Sequence, residues 1–307
     1  MSEPVADAVR EGETATRTIP AGRPLVVLAG GLFWGWLLLR WLNDWLGGLF
    51  VPRGEPFVSP EAVEALGAAV PALRGLFDST AFAVTYLPAL SAGVWLTIVL
   101  TATSIALGFV LAVPLSVARV YGRWTSYLSL AYTELLRGTP LLAQLFVIYY
   151  GLNFVQYVPP LLDGVFANNA VWAAIVGFTL NSAAYQAEYI RSALLSVESG
   201  QLTAGRAIGL TKLQAIRYVV LPQGLRFAIP GWTNELIYLI KYSSLAAFIT
   251  VPELFQRTNA IASDNFRYTA MFSLAALLYL ALVISASRLM NAVEDRVAIP
   301  GLGARGR

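Results

Sequence analysis

The 307-residue sequence predicts an all-α membrane protein with about six transmembrane helices. Three observations carry that expectation. Hydrophobic residues make up 57% of the chain and charged residues only 13%, with a mean hydropathy of +0.63; a soluble globule of this length carries more charge and less apolar surface. Six apolar windows reach or approach the ~20 residues needed to cross about 30 Å of hydrocarbon. Basic residues gather in alternate connecting segments, as membrane topology demands.

The windows run from Leu25 to Trp45, Ala92 to Val117, Leu141 to Val158, Val171 to Ile190, Gly231 to Phe248 and Met271 to Met290. The first is too long for a cleaved signal and no small-x-small site follows it, so it is expected to remain as an anchor. With the N-terminus inside, 15 of the 21 Lys and Arg residues fall on the cytoplasmic side, among them Arg119, Arg123, Arg137, Arg191, Arg206 and Lys212. The expected localisation is a bacterial or archaeal inner membrane, multi-pass, with both termini cytoplasmic.

Four regions follow. Residues 1–22 are polar and read as a disordered cytoplasmic tail. Residues 23–90 hold the first span and an extracytoplasmic segment with Pro52, Pro56, Pro60 and Pro71. Residues 91–290 form the core domain, with a cytoplasmic loop at 191–226, and 291–307 are a C-terminal tail. Gly31 and Gly35 form a GxxxG pair, weak evidence for a packing face in a Gly-rich chain.

Composition also excludes chemistries. The chain has no Cys and no His, which removes thiolate nucleophiles, His acid–base pairs and the common zinc and haem ligand sets. Its two lysines, Lys212 and Lys241, lie in no GxxxxGK[ST] phosphate loop, so an ATP site of that kind is not expected. No metal site is expected, and the basic residues follow topology rather than forming a nucleic-acid patch.

The 191–226 segment carries the strongest local signals. Gln201 to Ile208 reads as a short helix ended by Gly209 in a left-handed conformation. Thr211 reads as an N-cap, with Gln214 three residues on completing a capping box. Leu213, Ile216 and Val220 recur at helical spacing, and Pro222 is expected to stop the helix. The pattern suits a docking element or an amphipathic loop lying on the inner leaflet.

The run Gly200-Gln201-Leu202-Thr203-Ala204-Gly205-Arg206-Ala207-Ile208-Gly209-Leu210, closed by Val220-Leu221-Pro222-Gln223, resembles the EAA loop of binding-protein-dependent ABC importer permeases. The polar amino-acid branch is the more specific likeness. Glu134 through Leu145, containing Arg137-Gly138-Thr139-Pro140, is similar to that branch's motif before the third span. Ala184 through Arg191 and Asn234 through Leu245 are similar to two further motifs, and the likeness covers about 92–290. Three departures stand out: Thr203 where the motif has Glu, Gly205 where it has the second Ala, and Tyr242-Ser243 where it has Asp-Thr.

The resemblance implies a type I ABC importer transmembrane domain. Its implied partners are an identical or related second permease, an ATPase dimer and an extracytoplasmic solute-binding protein, all in membrane lipid. ATP and Mg would be bound by the ATPase subunits, with no cofactor on this chain. Gly200, Gln201, Thr203, Ala204, Gly205, Arg206, Ala207, Gly209, Leu210 and Pro222 would form the ATPase-coupling loop. With the Glu absent, coupling would rest on shape and on Arg206, while Thr203 could cap locally.

Candidate substrate contacts come from polar residues in the spans. Asn181, Tyr185 and Glu188 share one face of the fourth span, and Thr97, Thr101 and Ser104 one face of the second. Polar groups in hydrocarbon are costly unless they face protein or a wet cavity. The Thr and Ser stripe suits helix-to-helix hydrogen bonding. Asn181 and Tyr185 suit either that role or pathway lining, and Glu188 could brace Arg191. Gln144, Asn234 and Glu235 are further candidates. Lys241 could be a pathway charge, an interfacial anchor or a partner for Glu235. A secondary transporter or channel for small polar solutes is the competing function, and it would require inverted repeats that the sequence does not display. A membrane enzyme would need a converging catalytic set.

Overall fold

A computed structural model describes residues 23–70, 72 and 74–297, so the expected tail at 1–22 and residues 298–307 of the expected tail at 291–307 lie outside the described residues, while 291–297 continue the last helix. The described chain is helical, without strands. In order, the elements are α1 (Arg23–Trp45), α2 (Pro60–Ala69), α3 (Arg74–Tyr121), α4 (Thr125–Arg137), α5 (Leu141–Phe146), α6 (Ala170–Leu195), α7 (Ser199–Ala207), α8 (Lys212–Ala215), α9 (Leu221–Tyr242), α10 (Leu254–Asn265) and α11 (Tyr268–Val297). Two π-helical turns extend this set: Val147–Gly151 continues α5, and Ile216–Val220 joins α8 to α9.

Three helices, α1, α3 and α11, are long and apolar enough to cross a membrane, and a fourth span arises if Lys212–Ile249 and Leu254–Asn265, bent by 54°, count as one. Helix α3 has 48 residues, or ~72 Å at 1.5 Å per residue, so it runs well beyond one bilayer and straight through the expected boundary at 90/91. Its N-terminal part pairs with α2, where Gly67 lies against Phe77.

Helix α6, 26 residues, is long enough to span but is not among the helices apolar enough to cross a membrane by composition. Seventeen of its residues are buried, including Asn181, Ser182 and Gln186. Protein on all sides, rather than lipid, is its solvent, and the hydropathy requirement falls accordingly. It packs against α3, where Ser104 Oγ donates to the Ile175 carbonyl at 3.4 Å, and against α9, where Gly224 meets Leu194 and Gly231 meets Tyr189.

The third span differs from the expected window Leu141–Val158. Continuous helix there ends at Gly151, and the missing length comes from α4, which the sequence reading placed in a cytoplasmic connection. Helix α4 turns back along the bundle: Ser129 Oγ donates to Leu115 O at 2.8 Å and Tyr132 Oη to Leu180 O at 2.7 Å. The helical path here is therefore α4 followed by α5, broken at Gly138-Thr139-Pro140. Arg137 is the last residue of α4 and stands exposed beside α6 rather than in a connecting loop.

Pro222 does not stop a helix. Pro lacks an N–H and its ring crowds the carbonyl four residues back. The π turn Ile216–Val220 relieves both, with Leu221 N–H reaching Ile216 O, so α8, the π turn and α9 form one unbroken rod. The fifth span accordingly starts at Leu221 rather than Gly231. The added residue also rotates the buried face. Ala215, Ile216 and Val220 are buried, while Leu213, expected inward, is 70% exposed.

A Cβ on Gly231 would sit 2.8 Å from Tyr189 Cγ, whereas one on Gly75 would meet nothing within 4 Å. Gly231→Leu should therefore destabilise the chain by about 1–3 kcal/mol or more through overpacking. A clearly lowered melting temperature in detergent is expected, with Gly75→Leu melting as wild type. Equal melting of the two variants would remove the α6–α9 crossing as a determinant of stability.

Candidate functional site

The projecting loop is built as its residues predict. Helix α7 ends at Ile208, Gly209 follows with φ +93°, and Leu210 N–H returns to Gly205 O at 3.2 Å. Thr211 Oγ1 accepts from Gln214 N–H at 3.3 Å and Gln214 Oε1 accepts from Thr211 N–H at 2.9 Å, completing the capping box. Gly205 is buried because a Cβ there would lie 3.1 Å from the Ala215 Cβ, which brings α7 and α8 into close contact. Lys212 Nζ donates to Tyr121 O at 3.1 Å, tying the loop to the end of α3.

Leu202 packs with Leu194, Val220 and Leu221 beneath the loop. Above it, Gly200, Thr203, Ala204, Arg206, Ala207, Gly209 and Pro222 are exposed, with Gln201 and Leu210 half-buried. Ile208 is 81% exposed. Thr203 lies in mid-helix, where its hydroxyl cannot reach a free N-terminal amide, so the local cap expected of it is not formed. The loop thus has an apolar underside and a free upper face carrying Ile208, Leu213 and Arg206.

The interior polar residues divide into two groups. The first serves the break in the third span. Gln144 Nε2 donates to Leu136 O at 2.7 Å and Thr139 O at 3.0 Å, the carbonyls freed at Gly138-Thr139-Pro140. Asn181 Nδ2 donates to Gln144 Oε1 at 3.0 Å and lies 3.4 Å from Leu136 O. Asn181 is buried. Both amides are engaged in holding backbone.

The second group forms an open strip across α4, α6 and α9. Arg137 lies over the Tyr185 ring at 5.4 Å and reaches Glu188 at 3.9 Å. Glu188 Oε1 also accepts from Arg191 Nε at 2.8 Å, as expected of a bracing carboxylate. On α9, Asn234 and Lys241 are exposed, with Lys241 Nζ 5.5 Å from the Tyr238 ring. Glu235 is buried near Ser182 and is not the partner of Lys241, because six residues of helix set them about 9 Å apart along the axis and about 120° apart around it. Arg137 is the site residue that the sequence reading missed. No local signal marks it, because the carbonyls that Ser129 and Tyr132 meet, at Leu115 and Leu180, are distant in sequence.

The Thr and Ser stripe acts largely as interhelical hydrogen bonding. Ser104 bonds α6, and Leu254 N–H donates to Thr97 Oγ1 at 3.4 Å, although Thr101 Oγ1 is buried without a partner. Gly31 and Gly35 face open space, so no packing partner among the described residues uses the GxxxG pair.

A helical bundle with a broken span, a polar strip and a projecting helix–turn–helix defines an integral membrane component of the transport-permease class. Residues 104–299 match the family described as binding-protein-dependent transport system inner membrane component, and the chain belongs to that family. It is 39% identical over 224 residues to the probable amino-acid ABC transporter permease protein YckA of Bacillus subtilis, covering 72% of this chain and 94% of that protein. It is 34% identical over 214 residues to the glutamine transport system permease protein GlnP of Escherichia coli K12, covering 69% and 94%.

Among solved structures it is similar to one described as an amino acid ABC transporter with histidines, at a TM-score of 0.60 and 30% identity over 69% of this chain and 96% of that one. An inward-facing form of the MetNI methionine ABC transporter gives a TM-score of 0.60 at 25% identity, covering 70% and 98%. These likenesses fit the expected all-helical type I importer permease fold.

Replacing Gln144 with Leu removes the 2.7 Å donor to the part-buried Leu136 carbonyl and the acceptor for buried Asn181, an expected loss of about 1–3 kcal/mol for each buried group left unpaired. The melting temperature in detergent should fall clearly for Gln144→Leu and stay at the wild-type value for Tyr185→Phe. A Gln144→Leu variant as stable as wild type would mean that the break is held by something else.

Proposed function

We propose that this chain is the membrane-spanning subunit of an ATP-driven importer of polar amino acids, coupled to ATPase closure through residues 200–223. The observation that carries this is the loop itself: a rigidly capped helix pair that presents a free face and is continuous with a span. Such an element can transmit a bias between two packed arrangements of a bundle. In this reading, Ala204 to Leu210 occupies a cleft on a partner ATPase, which binds ATP and Mg. The names of the relatives, which include glutamine and methionine systems, support an amino-acid cargo.

The strip of Arg137, Tyr185, Glu188, Asn234 and Lys241 is the proposed substrate path. An ionised side chain at the centre of a helix in lipid costs about 2.5–3.5 kcal/mol on insertion scales, so this face favours a second permease subunit and water over lipid. Paired positive and negative groups suit the carboxylate and ammonium of a zwitterion. Gln144 and Asn181 hold the wall behind it. An extracytoplasmic binding protein delivers the solute to the end opposite the loop, with the N-terminus inside.

Gly209 has φ +93°, a conformation that strains a β-branched residue by about 1–2 kcal/mol. Gly209→Val should leave the protein in the membrane at normal level while transport falls severely and loaded binding protein no longer stimulates ATP hydrolysis. Ala204→Asp, a charge placed in the proposed contact, should do the same. Wild-type transport and ATPase association in both variants would reduce the loop to a surface feature.

Orientation has its own test. The native chain lacks Cys, so a cysteine at exposed Ser79 should react with an impermeant thiol reagent in spheroplasts, and one at exposed Ser199 should react only after lysis. The reverse pattern would invert the topology.

A further inference from the structure

The end of α1 carries a feature that lies outside the matched family region. The run Leu46-Gly47-Gly48-Leu49-Phe50-Val51-Pro52 contains no charge. Gly47 and Gly48, at φ +89° and +91°, turn the chain out of the helix, a conformation that glycine adopts without steric cost. Beyond that turn, Leu46, Leu49 and Phe50 are 59–62% exposed. An apolar tip of this kind is unfavourable in water.

Its backbone, however, does not depend on water. Asn43, fully buried, accepts through Oδ1 from Phe50 N–H at 2.8 Å and Val51 N–H at 3.2 Å, and donates through Nδ2 to Val51 O at 3.0 Å. Gly48 N–H reaches Asn43 O at 2.8 Å. The far side of the loop is fixed by Arg40, which is buried, paired with Asp44, bonded to Glu55 O and set over the Phe57 ring at 5.3 Å. One buried amide and one buried guanidinium thus hold an uncharged apolar tip in shape. Satisfied backbone is the condition for placing irregular chain at the edge of hydrocarbon.

Its depth is set by its neighbours. Trp41, Trp45 and Trp95 form consecutive edge-to-face contacts with centroids 5.1 and 5.0 Å apart, and Trp45 is 61% exposed. Trp41 Nε1 donates to Ser91 O at 3.0 Å. Exposed Trp gathered at a span end marks the lipid headgroup level, and the tip follows immediately after Trp45. The first charges beyond it, Arg53 and Glu55, begin the aqueous side.

We propose that residues 46–50 insert into the membrane–water boundary as an interfacial anchor whose partner is the acyl-chain edge of the adjacent leaflet. The anchor fixes the depth of α1 and, through the Trp41–Ser91 bond, of α3. It does not depend on which side of the membrane the loop occupies, nor on the transport reading.

The test uses the full chain in phosphatidylethanolamine–phosphatidylglycerol liposomes, with single spin-labelled cysteines at Leu49 and Phe50. Leu38, exposed on α1, serves as the hydrocarbon reference, and Glu64, exposed on α2, as the aqueous one. Collision with oxygen against a nickel chelate should place Leu49 and Phe50 near Leu38, with chelate contact several-fold below that at Glu64. Chelate contact equal to Glu64 would overturn the proposal, as would low contact with both reagents, which would mean cover by protein. In an Asn43→Ala background the Phe50 label should move toward the aqueous value; an unchanged value would remove Asn43 from the anchor.

Discussion

A backbone carbonyl or amide left unpaired in hydrocarbon costs several kcal/mol, and the layout of this chain is a set of answers to that cost. At several places where regular helix fails, a side chain or a π turn takes up the freed groups. Gln144, steadied by Asn181, collects the carbonyls at Gly138–Pro140. Asn168 donates to Thr250 O at 2.7 Å where α9 gives way to α10. Buried Glu253 caps α10 by accepting from Phe255 and Gln256 N–H, both at 2.8 Å, and is held in turn by Tyr279 Oη at 2.9 Å. The breaks are therefore fixed points of the fold, and they let a chain with few full-length apolar helices form a continuous bundle.

That economy depends on α6. Its burial permits polar residues that a lipid-facing helix could not carry, and its small residues allow neighbours to approach closely. Ala183 and Ser182 face Gly108 on α3, and Gly177 faces Leu145 on α5. With α6 surrounded, α4 can turn back along it, which brings Arg137 to Tyr185 and Glu188. Arg137, the last residue of α4, owes its place beside Tyr185 to the packing of Ser129 and Tyr132 along α3 and α6.

The fold class and the loop were legible in the sequence because their signals are local. A capping box needs four residues and a left-handed turn needs one glycine, and both stand where Thr211, Gln214 and Gly209 predict. What escaped was non-local. Nothing in the Thr125–Arg137 sequence states that its helix packs along α3, since the evidence lies in carbonyls at Leu115 and Leu180 that Ser129 and Tyr132 find only on folding. Gln144 and Asn181 read as pathway candidates because polarity alone does not distinguish a group serving solute from one serving backbone. Pro222 read as a stop because the compensating π turn has no sequence mark of its own.

The continuity at Pro222 bears on mechanism. A helix that stopped there would leave a joint between the loop and the fifth span, and a joint dissipates displacement. Instead α8, the π turn and α9 form one rod, and α7 is pressed to it through Gly205 against Ala215. Leu194 on α6 receives Gly224 from the same rod, and Tyr189 receives Gly231. Under the proposed function, a push on the exposed face of α7 would pass to the α6–α9 crossing through these packed contacts. Tyr189, which receives Gly231 in that crossing, follows Glu188 directly on α6, so the proposed path and the proposed coupling loop meet the same pair of helices.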